Sequence, residues 1–158
     1  MRLRETIDYE APPHAVLAML TDRSFRTMVC ERTHALDHAV TIDVAGRVTT
    51  VSVWRSMPAD VPGFFRRLVG DRLEIQQIER WDGPVRADLA VRIVGKPASL
   101  DGYVALEQTT AGTRQIVDGR VNVSVPFIGG DIAKEIARAI RAALAVEAET
   151  GREYLRAR

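Results

Sequence analysis

Asp131–Ala157, DIAKEIARAIRAALAVEAETGREYLRA, carries the longest helical periodicity in the chain, and its reading sets the fold. At about 100° per residue, Ile132, Ile136, Ala139, Ile140, Ala143 and Leu144 share one stripe. Lys134, Glu135, Arg138, Arg141, Glu149, Arg152 and Glu153 fall on the opposite one. The pattern predicts one amphipathic helix from Gly130 to about Arg156, with Asp131 as its cap. Glu147 breaks the pattern, because it lands near the middle of the apolar stripe. A charge on a buried face must be paired, neutralised or wet.

Upstream of this helix the period changes from 3.6 to two. Residues 2–10 alternate polar and apolar and read as a first strand. Pro12 and Pro13 end it and suit the first turn of a helix over His14–Leu20. Thr21 or Asp22 caps a second short helix bearing Phe25, Met28 and Val29. From His34 to Val44 the alternation is unbroken, and Ala45-Gly46 turns the chain into Arg47–Ser56. Hairpins follow over Arg72–Asp82 with Val85–Val94, and over Ala98–Thr109 with Arg114–Val125. Alternation with one polar face describes an antiparallel sheet covered on one side only. The expected fold class is therefore α+β: about seven curved antiparallel strands wrapped around a long C-terminal helix, with two short helices after the first strand.

The 158 residues read as one domain spanning 1–158, with a substantial core and no linker or repeat. Lys+Arg 22 against Asp+Glu 21 leaves a net charge of +1 without a basic block, so nucleic acid is not an expected partner. The N-terminal MRLRETIDYEAPPH lacks a signal-peptide core, no apolar run approaches a membrane span, and Cys30 is the one cysteine. These features predict a soluble cytoplasmic protein, touching a membrane surface at most transiently.

Met57–Pro62 with Phe64-Phe65, the run Ile75–Trp81, Gly95-Lys96-Pro97, and Gly119 through Val125-Pro126-Phe127-Ile128-Gly129-Gly130 carry a family resemblance. Together with the element order, they make the chain resemble the START-like (SRPBCC, Bet v 1-type) helix-grip superfamily over its whole length. The narrower likeness is to an uncharacterised actinobacterial domain-of-unknown-function family. The superfamily resemblance implies an apolar pocket for lipids, sterols, polyketides or similar molecules, in a fold that also serves cyclases and chaperone-binding modules. Fold alone therefore does not set function.

The candidate ligand site lies between Ile136, Ile140, Ala143, Leu144 and Glu147 on the long helix and the concave sheet face. Glu147 is read either as a pocket-floor carboxylate or as an exposed residue or structural partner of an arginine reaching in from a strand. Gln77, Glu79 and Trp81 continue the apolar row of Leu73 and Ile75, and either enter the cavity or leave its cover and meet water. Phe64 and Phe65 sit in Met57–Gly70, where Asp60 is placed to cap a helical turn that acts as a lid or closes the core. His34 and His38 share a strand and stand roughly 13 Å apart at about 3.3 Å per residue, too far for one metal. No metal site or cofactor motif is expected, and His38 is kept as a residue of the pocket mouth. Cys30, beside Glu31, is placed for packing rather than nucleophilic attack.

Three functions compete on these grounds: a carrier of a hydrophobic small molecule or lipid, a cyclase or dehydratase using Glu147 with Glu79 or His38, and an interaction module with a filled core.

Overall fold

The computed structural model describes residues 1–158, the side chain of Phe64 excepted. In chain order the elements are β1 (Arg2–Tyr9), α1 (Pro13–Leu20), α2 (Arg23–Arg32), β2 (Asp37–Ala45), β3 (Val48–Pro58), α3 (Gly63–Val69), β4 (Arg72–Asp82), β5 (Arg86–Ile93), β6 (Ala98–Gln108), β7 (Thr113–Val123) and α4 (Gly129–Arg156). The strands form one antiparallel sheet in the order β1-β7-β6-β5-β4-β3-β2. Alternation sends Leu3, Val51, Val53, Trp81, Val104 and Val121 to the inner face, where each is 2 % exposed or less. Helix α4 lies along that face, packing on β7 and β1 and against α1 and α2. At about 1.5 Å per residue its 28 residues run roughly 42 Å, far enough to reach both ends of the sheet.

Local chemistry accounts for several ends. Pro13 opens α1, where a missing N–H costs nothing, and the Asp22 carboxylate accepts from the Ser24 N–H at 3.0 Å to cap α2. At the far end of α2, His34 takes a left-handed backbone (φ 63°). Its N–H donates to the Glu31 carbonyl, and the Ala35 N–H donates to that of Cys30. This helix-closing motif uses up residues 34 and 35, so β2 starts at Asp37 rather than at His34. Two expected caps also move. Ile128 rather than Asp131 precedes α4, and Pro62 rather than Asp60 precedes α3; neither position carries a side-chain cap. Asp131 instead sits in the first turn, where its charge faces the positive end of the helix dipole.

Gly151 shows why a glycine stands inside the long helix. A Cβ there would lie 2.8 Å from the Tyr9 ring and 3.0 Å from Met19 Cε. Without one, α4 settles directly onto two fully buried side chains. Among the described residues no helix is long and apolar enough to cross a membrane.

Candidate functional site

Under the C-terminal half of α4 the grip is filled, and what fills it is partly ionic. Arg26 is 4 % exposed, Glu79 3 % and Glu147 7 %. The Arg26 guanidinium donates from Nη2 to Glu79 Oε1 at 2.7 Å and from Nε to the Leu20 carbonyl at 2.8 Å. Its Nη1 reaches Glu147 Oε1 at 3.5 Å. Glu79 also accepts from the Trp81 indole N–H at 3.2 Å and from Gln77 Nε2 at 2.8 Å. Glu147 accepts in addition from Gln115 Nε2 at 3.1 Å. The arginine facing Glu147 thus comes from helix α2, not from a strand.

The chain brings these groups together because each is a polar residue on an apolar row. Arg26 precedes Val29 and Cys30 by three and four positions, so it shares their buried face of α2. On β4, Gln77, Glu79 and Trp81 point inward with Ile75, and on β7 Gln115 points inward with Val117 and Val121. Arg55 on β3 lies on the face of Val51 and Val53 and donates from Nη2 to Gln77 Oε1 at 3.0 Å. In register, Arg55 stands opposite His38 on β2 and Ile75 on β4. Sequence reading singled out Glu147, Gln77, Glu79, Trp81 and His38, and missed Arg26, Arg55 and Gln115. The available signal was the one that exposed Glu147, a polar side chain interrupting an apolar row.

Two carboxylates against Arg26 in a dry setting have an electrostatic consequence. Burial raises the Glu147 carboxyl above its usual range, and the nearby Glu79 adds to the rise against Arg26, Gln115 and Arg55. A carboxyl raised in the folded state stabilises the fold fully below its unfolded pKa. That contribution is lost as pH climbs through the folded value. Glu147→Gln removes it, so the stability of the wild type relative to this variant should fall as pH rises above the ordinary carboxylate range. Urea midpoints of both proteins over that rise measure it, and parallel curves would contradict the assignment. Tyr9, 2 % exposed, has its phenol pushed upward by burial and by Glu147, and its Oη has no hydrogen-bond partner among the described residues. Burial also raises the Cys30 thiol, with Glu31 a smaller contributor in the same direction.

The other half of the grip is built differently. Ile136, Ile140, Ala143 and Leu144 of α4 are half-buried, as are Leu73, Ile75 and Gln77 of β4 and Val91 of β5. Ala133 and Ala137, small and buried, bring the helix close to the sheet along a neighbouring row. Helix α3 stands at this end, with Phe65 half-buried and Leu68 48 % exposed; the side chain of Phe64 lies outside the described residues. Arg138 of α4 reaches the Asp60 carbonyl at 3.5 Å, placing the β3–β4 connection beside the first half of α4. A cavity running from Ile136 to Glu147 was expected. Instead, the Glu147 end is occupied by Arg26, Trp81 and Tyr9, while the apolar side chains at the Ile136–Leu144 end are only partly buried. Two open depressions of about 300 and 290 Å³ lie elsewhere, around Asp101 and Gly102 on the outer face of the sheet.

A seven-stranded antiparallel sheet closed on one long helix, with short helices after its first strand, defines a Bet v 1-like helix-grip protein. Solved structures agree on that fold. TTHA0849 from Thermus thermophilus superposes with a TM-score of 0.68 at 16 % identity, covering 99 % of this chain and 98 % of that one. The di-domain ARO/CYC StfQ from the steffimycin biosynthetic pathway gives 0.66 at 10 % identity, over 96 % of this chain and 50 % of its own. The Bet v 1-like Ara h 8.0201 gives 0.55 at 12 % identity, over 95 % and 97 %. By sequence the chain belongs to the DUF2505 family, a protein of unknown function, whose model matches residues 4–155. No curated protein matches it.

Proposed function

We propose that this protein binds a hydrophobic small molecule or lipid in a groove between the first half of α4 and the inner face of β3–β5. The observation that carries the reading is the matched half-burial of apolar side chains on both walls, Ile136, Ile140 and Leu144 against Ile75 and Val91. Apolar walls facing each other across solvent gain most from an apolar guest, at about 25 cal/mol per Å² removed from water. The fold shared with an ARO/CYC protein of a biosynthetic pathway supports a small organic guest. The ionic network supports capture over turnover. Glu79 and Glu147 converge on one guanidinium, which holds the position a reacting atom would need.

Native mass spectrometry of the protein as purified, followed by incubation with N-phenyl-1-naphthylamine, tests the reading. A bound apolar mass or a fluorescence rise is expected. Replacing Ile140 by lysine should weaken it at least about tenfold, because a desolvated ammonium opposes an apolar guest. Protein that is empty and ignores the naphthylamine would overturn the carrier reading.

A further inference from the structure

Arg55 is the unusual residue of the inner face. Four side chains form the charged part of the grip interior, Arg26 and Arg55 against Glu79 and Glu147, and they are not paired alike. Arg26 touches both carboxylates. Arg55 has no carboxylate within ion-pair distance among the described residues; its one side-chain bond goes to the neutral amide of Gln77. Its Nε–H is buried and has no hydrogen-bond partner among the described residues. A guanidinium carries five donors in a planar fork and is always charged, so this is an unspent cation rather than a loose surface group.

Its position matters as much as its bonding. From the open end of the groove inward, the inner row of β4 reads Leu73, Ile75, Gln77, Glu79, Trp81, passing from half-buried apolar to fully buried polar beyond Gln77. Arg55 stands opposite Ile75 and bonds Gln77, at that boundary. Helix α4 makes the same transition, from Ile140, Ala143 and Leu144 to Glu147. The half-buried walls therefore end at one uncommitted positive charge. Gln77 fixes its orientation, accepting from Arg55 and donating to Glu79. His38, opposite Arg55 in register, adds a second nitrogen-bearing group at the same level.

The geometry points to a ligand that is an amphiphilic anion: an apolar body in the Ile136–Leu144 groove and a carboxylate, or an oxyanion of similar size, on the free edge of Arg55. This rests on the groove reading above and narrows it. A planar carboxylate matches the guanidinium fork, and a charge-assisted bond in a half-dry site is stronger than its aqueous counterpart. A neutral hydroxyl can accept one bond from the fork but brings no charge and cannot engage two donors as a carboxylate does, so discrimination comes from the charge-assisted, two-point contact.

Displacement of N-phenyl-1-naphthylamine by dodecanoate and by dodecanol tests this, since the two competitors differ only in the head group. The wild-type protein is expected to bind dodecanoate at least about tenfold more tightly than dodecanol. In Arg55→Gln that preference should collapse to near parity while dodecanol affinity stays within about threefold. Arg55→Lys, which keeps the charge and loses the fork, should retain part of it. Equal wild-type affinities for the two competitors would overturn the anion assignment and leave the groove standing. So would an Arg55→Gln variant that weakens both alike. Should the naphthylamine itself fail to bind, the groove reading falls and this assignment falls with it. The wild-type comparison decides the question even if neither variant folds.

Discussion

Arg26→Met is expected to cost about 3–5 kcal/mol, the range for removing one partner from a buried ion pair. The reason is what stays behind. Glu79 and Glu147 are 3 % and 7 % exposed, and without the guanidinium they face one another as two carboxylates with little water to screen them. The loss should appear as a large fall in urea midpoint at neutral pH, against a typical domain stability of about 5–15 kcal/mol. It should shrink on acidification, because the Glu147 carboxyl, already raised by burial, then takes up a proton and less charge is left stranded. The sign follows from linkage: a carboxyl raised in the fold, as that of Glu147 is, stabilises it at low pH and loses that contribution as pH rises. A second expectation separates the charge from the volume. Combining Arg26→Met with Glu79→Gln and Glu147→Gln should recover much of the lost stability, since a neutral set carries no ion to strand. A triple variant no more stable than the single one would mean that Arg26 acts through packing or through its bond to the Leu20 carbonyl.

Trp81→Ala should be of similar size, about 3–5 kcal/mol, for a different physical reason. Trp81 is the largest of the fully buried side chains, 1 % exposed, and fills the grip where β4 passes under the network. Truncation leaves a void in close-packed surroundings and deletes the indole N–H on Glu79 Oε1. Trp81→Phe keeps most of the volume and removes the donor, so its cost of about 1–3 kcal/mol reports the hydrogen bond to a buried charge. Chemical denaturation of both variants distinguishes the two contributions. Equal destabilisation by Phe and Ala would assign the whole effect to Glu79. The groove end offers a contrast. Ile140 and Leu144 are half-buried, so substitutions there should move ligand capture more than stability.

The element order was legible because the information is local. Alternation over Val85–Val94 and Arg114–Val125 and the helical period of Ile136, Ile140 and Leu144 report which side a segment turns inward, and proline marks the start of α1. Ala139 of the expected stripe is nevertheless exposed, and the most buried row of α4 runs through Ala133, Ala137 and Ala148. The same logic placed Glu147 on the covered face of α4 before any partner was visible. It failed at His34, where the run of alternating residues extends into α2's closing turn and the left-handed residue decides the boundary. It failed again at Asp131 and Asp60, since a carboxylate near a helix start can sit in the first turn, or ahead of it, without capping it.

Polar side chains on buried rows are written into the chain locally: Glu147 in α4, Gln77 and Glu79 in β4, and, by the same pattern, Arg26 and Arg55. That Arg26 meets Glu79 and Glu147, 53 and 121 positions away, emerged only from the folded arrangement. So did the absence of any carboxylate within ion-pair distance of Arg55 among the described residues. Periodicity records the environment each residue needs, but not which distant residue supplies it. That choice is made by where α2 docks on the sheet and how far α4 extends past the last well-packed strand. The same docking fully buries one half of the grip and leaves the apolar side chains of the other half only partly buried.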